Sequence, residues 1–113
     1  MIVQELVEAL ELRVISPGDT QREVRGGYAS DLLSCVMARA KVGTVWLTLQ
    51  AHPNVVAVAS LLDLAAVILT EGVEPDLETV ERARESSITL LGSPETTFTV
   101  AGRMSGLGVG GTG

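Results

Sequence analysis

Between Thr44 and Leu107 the sequence repeats one arrangement: a short aliphatic run, a polar stretch containing proline, and then a segment at helical spacing. "TVWLTLQ", "AAVILT" and "ITLLGS" are the runs, and "PNVVAVASLLD", "EPDLETVERARESS" and "PETTFTVAGRMSGL" follow them. Continuous apolar runs of this length suit strands buried on both faces. Strands alternating with helices imply a parallel sheet with right-handed crossovers. The expected fold is a single α/β domain with a mainly parallel sheet and flanking helices. Its clear strands are Val45 to Leu49, Ala66 to Leu69 and Thr89 to Leu91.

The first 43 residues are less regular. Ile2, Val3, Leu6, Val7 and Leu10 recur at helical spacing, with Gln4, Glu5, Glu8 and Glu11 opposite. "LRVIS" reads as a strand closed by the turn signal Ser16–Asp19. A further short strand is expected around Val24, then a helix over "DLLSCVMARAKVG" with Ser30 or Asp31 as N-cap and Gly43 past its end. In the later helices Leu77, Val80 and Ala83 are expected inward, and Phe98, Ala101, Met104 and Leu107 share one face. At 113 residues the chain forms one core. The domain is expected over 1–107, with the glycine-rich 108–113 as a disordered tail.

A formal charge of −6, with no cluster of Lys or Arg, argues against nucleic acid and anionic membranes as partners. The N-terminal stretch lacks the basic region of a signal peptide, and no apolar run is long enough to span a bilayer. A lone cysteine, Cys35, forms no internal disulfide, and the expected compartment is the cytoplasm.

In open parallel sheets, ligands bind outside the carboxyl ends of the strands. There the sequence gathers Gln50, His52 and Asn54 after the first run, Thr70, Glu71 and Gly72 after the second, and Ser93, Thr96 and Thr97 after the third. Ser30 and Asp31 open the preceding helix toward the same edge. These eleven residues are the candidate ligand site. His52, the only histidine, precedes Pro53 at a helix start, so its bland role is to mark that boundary. The sharper role is contact with a ligand at the strand ends, beside Thr70-Glu71-Gly72 and Ser93. No HExxH pair, catalytic triad spacing or second histidine supports chemistry or a metal, so no catalytic or metal residue is assigned. "GLGVGGTG" follows a helix and lacks the Lys-Ser/Thr of a phosphate loop. "RGGYASD" reads as a tight turn in which glycine supplies positive φ, or as an anion nest.

"GGYASDLLSCVMARA", "LQAHPNVVAVASLLDLAAVILTEG" and "LGSPETTFTVAGRM" together resemble the stand-alone DRTGG-domain family, from about Arg22 to Met104. Thr70-Glu71-Gly72 stands where the family often has Thr-Gly-Gly. Ser93-Pro94-Glu95-Thr96-Thr97-Phe98 is similar to its T-P-x-x-T-F helix start, and Ala51-His52-Pro53 replaces its Gly-Asp-Arg. The resemblance implies a fold like the N-terminal domain of HPr kinase/phosphorylase. It also implies a non-enzymatic regulatory or dimerisation module, as beside phosphotransacetylases and within CBS-domain pyrophosphatases. Its implied ligand is an adenine nucleotide at the strand ends, and its implied partner is a catalytic protein that it regulates. Two other readings stand beside it: an HPr-kinase-related enzyme or phosphotransferase accessory subunit using His52 with Glu71 or Asp31, and a protein-interaction adaptor. A homodimer is expected because the helix over Asn54 to Asp63 is apolar on nearly every face and needs cover.

Overall fold

The computed structural model describes residues 1–112. Ten elements follow one another: α1 (Val3–Leu10), β1 (Arg13–Ser16), β2 (Gly26–Ala29), α2 (Leu33–Arg39), β3 (Thr44–Thr48), α3 (Asn54–Leu62), β4 (Ala66–Leu69), α4 (Leu77–Glu85), β5 (Leu90–Gly92) and α5 (Thr97–Gly106). The strands form one sheet in the order β1-β5-β4-β3-β2. β2, β3, β4 and β5 run parallel, and β1 closes one edge antiparallel to β5. The mainly parallel α/β sheet expected from the sequence is the fold found. Each of its three clear strands lies within a residue of its expected bounds.

Alternation along the strands divides the core in two. Val45, Leu47, Ile68 and Leu91 pack with α1 and α5 through Val3, Leu6, Leu10, Val100 and Met104. Trp46, Val67, Leu69 and Leu90 face the other way, onto Val36 of α2, Val55, Val56 and Ala59 of α3, and Ala83 of α4. This is the period-two geometry of strands buried on both faces. Trp46 is fully buried, and its Nε1 donates to the Ser30 carbonyl at 2.8 Å, so its one polar atom is satisfied.

Several expectations are corrected. β2 lies at Gly26–Ala29 rather than around Val24. Gly26 and Gly27 are strand residues, not a positive-φ turn or a nest. Close approach explains them: a Cβ at Gly26 would meet Thr112 Cγ2 at 2.1 Å, and one at Gly27 would meet Met104 Cε at 3.2 Å. Thr112 is there because Gly108–Thr112 is placed against the sheet instead of forming a disordered tail. Gly27 N–H donates to the Gly110 carbonyl at 2.8 Å and Thr112 N–H to the Gly27 carbonyl at 3.0 Å, while the Thr44 and Thr112 hydroxyls meet at 3.1 Å. The last residue of the expected tail, 113, lies outside the described residues.

α4 turns Thr79 and Ala83 inward, whereas Leu77 is 83% exposed. Its start is fixed by the loop before α3, where the Ala51 carbonyl accepts from Asp76 N–H and from the Thr79 hydroxyl at 2.6 Å. α5 buries Val100 and Met104 at i, i+4, so Phe98, two positions earlier, faces away and is 88% exposed. α3 finds most of its cover within the chain. Val55, Val56, Val58 and Ala59 are buried between the sheet and the neighbouring helices α2 and α4. α1 lies across the opposite face of the sheet. What α3 leaves uncovered is a narrower strip through Ala57, Ser60 and Leu61. Among the described residues no helix is long and apolar enough to cross a membrane.

Candidate functional site

The carboxyl ends of the parallel strands carry two hydrogen-bonded groups of side chains. Around β2 and β3, Asp31 is the hub. Its Oδ1 accepts from the Thr48 hydroxyl at 2.8 Å and from Leu49 N–H at 2.7 Å, and its carbonyl accepts from Gln50 Nε2 at 3.0 Å. Gln50 N–H donates to the Thr48 hydroxyl at 3.1 Å. Neither Asp31 nor Ser30 caps α2. Asp31 turns to β3, the Ser30 hydroxyl accepts from Leu32 N–H at 3.1 Å, and Leu32 stands at the N-cap with no side-chain bond.

Around β4 and β5 the second group is built on the start of α5. The Thr70 and Thr97 hydroxyls meet at 2.6 Å, and Glu71 Oε2 lies 3.4 Å from both the N–H and the hydroxyl of Thr97. The Thr96 hydroxyl accepts from Thr99 N–H, the N-cap bond its residue type favours. Glu71 and Gly72 both adopt positive φ, 58° and 71°, which turns their N–H groups onto the carbonyls of Glu95 and Ser93 at 2.7 and 2.9 Å. The Ser93 hydroxyl accepts from Glu95 N–H at 3.1 Å. Thr70 N–H donates to the Thr48 carbonyl at 3.2 Å and joins the two groups.

Among the described hydrogen bonds, none joins His52 or Asn54 to either group. His52 is exposed, and its Nδ1 accepts from Asn54 N–H at 3.1 Å while its carbonyl accepts from Val55 N–H at 3.0 Å. These bonds stay within its own turn and shape the start of α3. The boundary role is the one its geometry displays.

Beside the β4–β5 group lies a cleft of about 140 Å³ lined by Arg13, Gly72, Val73, Glu74, Gly92, Ser93 and Pro94. Gly72 and Ser93 were legible in the sequence as strand-end residues, but Arg13 and Glu74 were not. Arg13 begins β1 and would sit at the amino edge of a fully parallel sheet. Because β1 is antiparallel, Arg13 pairs with Gly92 and arrives at the carboxyl ends of its neighbours. The sequence carries no signal for that reversal beyond the short loop between α1 and β1.

The Arg13 guanidinium donates from Nη1 and Nη2 to the two oxygens of Glu74, at 2.9 and 2.8 Å. That bond holds the Glu74 carboxyl below its usual range and keeps the Arg13 proton more firmly than usual. Arg103 pairs with Glu95 and also donates to the Ala9 carbonyl, tying α5 to α1. Both cations of this edge are therefore matched by carboxylates, and Asp31 and Glu71 add further negative charge. Among the described residues no group of His, Cys, Asp and Glu could hold a metal ion.

Comparison with known proteins gives a family and a fold. The family described as DRTGG domain matches residues 5–107. No curated protein matches the sequence. Among solved structures, the chain is similar to the CBS and DRTGG domains of the regulatory region of Clostridium perfringens pyrophosphatase, complexed with the activator diadenosine tetraphosphate. The TM-score is 0.70 at 14% identity, over 91% of this chain and 45% of that one. The chain thus spans less than half the length of this neighbour, and at that identity the likeness is one of fold.

Proposed function

The chain belongs to the DRTGG-domain family, and on that premise we propose that it is a regulatory and dimerisation module without chemistry of its own. It binds an adenine-nucleotide-like ligand at the carboxyl edge of its sheet and acts on a catalytic protein. The observation that carries this reading is the open cleft lined by Gly72 and Ser93, beside the hydroxyls of Thr70 and Thr97. Strand ends of parallel sheets are where α/β folds place ligands. The fold neighbour, a regulatory region complexed with a dinucleotide activator, supports the ligand class. The acidic surroundings favour a ligand of low net charge or one whose phosphates are bridged by a cation. The commitment of His52 to its own helix start supports a module over an enzyme built on His52.

A thermal-shift panel of nucleotides, with and without Mg²⁺, tests the proposal. A ligand at a hundredfold over its Kd stabilises by about 2.7 kcal/mol, which for a chain of this size raises Tm by roughly 10 °C. The expected result is such a rise for adenine nucleotides with no turnover. No response to any nucleotide would favour an adaptor. Phosphate release, or HPr phosphorylation, that disappears in His52→Ala would favour the enzyme.

A further inference from the structure

We propose that Arg13 is the group that binds a ligand's oxyanion, a phosphate or carboxylate, in the strand-end cleft, and that Glu74 is an intramolecular stand-in for that oxyanion. The inference rests on the ligand site proposed above and adds its charged contact and its competitor.

Among the described residues four arginines pair with carboxylates, and they are not held alike. Arg22 donates to the Asp63 carboxylate and also to the carbonyls of Asp63 and Leu64, so it is clamped to backbone. Arg103 is clamped in the same way by Glu95 and the Ala9 carbonyl. Arg82 bonds Glu78 one turn away on the same helix. Arg13 differs: its hydrogen bonds among the described residues run to Glu74 alone, sixty-one positions along the chain. The fork-to-carboxylate geometry is the one a guanidinium offers to a phosphate or a ligand carboxylate.

The pair is also poised to exchange. Arg13 is 55% and Glu74 71% exposed, so water and salt screen their attraction, and such pairs are weakly held. Arg13 lies across Gly92 on the cleft wall, its Nε 3.7 Å from where a Cβ would stand. Glu74 sits on the connection between β4 and α4, just after Gly72, around which a Cβ would meet nothing within 4 Å. An oxyanion in the cleft therefore meets one arginine fork, and among the described residues the group it must displace is a solvent-exposed carboxylate on a loop.

Affinity for an anion is reduced by the fraction of molecules in which Glu74 already holds Arg13. For an exposed pair that fraction corresponds to about a two- to fivefold loss. The test uses the full chain as wild type, Arg13→Gln and Glu74→Gln, titrated with inorganic phosphate, AMP and adenosine by calorimetry. Trp46 fluorescence confirms that each variant is folded. Glu74→Gln is expected to bind phosphate and AMP about two- to fivefold more tightly. Arg13→Gln is expected to lose phosphate binding and most AMP binding, with adenosine unchanged in both. Equal phosphate affinity in all three proteins, or none in Glu74→Gln, overturns the proposal. AMP binding that survives Arg13→Gln overturns it too, while leaving the nucleotide site standing. Phosphate binding that tightens in Glu74→Gln, with AMP no better than phosphate, keeps Arg13 in this role and removes the adenine reading instead.

Discussion

Replacing Asp31 by alanine should unfasten the end of β3. One carboxylate oxygen takes bonds from the Thr48 hydroxyl at 2.8 Å and from Leu49 N–H at 2.7 Å. Hydrogen bonds to a charged group are each worth about 1.5–3 kcal/mol when shielded, and exposure of the carboxylate reduces that sum. The two partners fare differently without it. Leu49 lies at the surface and its N–H regains water, whereas Thr48 is 1% exposed and its hydroxyl loses its acceptor. The net cost is about 2 kcal/mol for Asp31→Ala, from one stranded hydroxyl and one exchanged amide bond. Asp31→Asn keeps an acceptor oxygen and loses the charge, so it should cost about half as much. Urea unfolding followed by Trp46 fluorescence measures both. Trp46 is the only tryptophan, is fully buried, and bonds the carbonyl of Ser30, next to Asp31. The midpoint should fall with the slope unchanged, because the surface exposed on unfolding is the same. A loss under about 0.5 kcal/mol for alanine, or an asparagine variant as damaged as the alanine one, would refute the reasoning.

Two further outcomes follow. Asp63 is held below the usual carboxylate range, first by its hydrogen bond from Arg22 and then by the attraction of that charge. Glu74 is held down in the same sense by Arg13. Their contribution is complete above the ordinary carboxylate pKa values, about 3.9 to 4.3, and is lost as pH falls through the lower folded values, since the unfolded chain takes up the protons first. The urea midpoint should therefore drop between about pH 5 and pH 3, and Asp63→Asn should flatten that slope; an identical slope in the variant would show that the Arg22 pair has no part in it. For the proposed dimer, light scattering after size exclusion should give twice the chain mass. Leu61→Asp, at a position 69% exposed on α3, should return it to the monomer without loss of folding. A monomeric wild type at micromolar concentration would reject the dimer.

The parts of the fold legible in the sequence are those where one residue pattern had one physical meaning. β3, β4 and β5 are short, continuous and apolar because both of their faces are covered, and the proline-bearing stretches after them separate them from the helices that follow. β2 was obscured because Gly26 and Gly27 have no strand preference of their own. They are in the sheet because the glycine-rich end of the chain and Met104 press against them. The inward faces of α4 and α5 were legible only in part: Ala83 and Met104 are buried as the spacing predicts, but Leu77 and Phe98 are not, since helical spacing fixes a stripe but not which stripe meets the sheet. The bond from the Thr79 hydroxyl to the Ala51 carbonyl sets that rotation in α4, and a residue 28 positions away is not visible in a window of about eleven. The strand-end residues were gathered correctly as types. The division of Asp31, Thr48 and Gln50 from Thr70, Glu71, Ser93 and Thr97, and the separation of His52 from both, depend on which side of each strand end faces which helix.

The reversed edge strand also has a consequence for how the chain is made. β1 leaves the ribosome before the other strands of the sheet, yet its partner is the last of them, with Val14 set against Leu91. α1 waits in the same way, because its buried face packs where α5 packs. Meanwhile β2, β3 and β4 pair in sequence order and can assemble as synthesis proceeds. Closing a loop that long adds entropy only slowly with its length, but contacts between distant residues delay folding. The α1–β1 segment is therefore made before the strand and helix it docks on, and it keeps an apolar helix face available to chaperones until β5 and α5 have emerged.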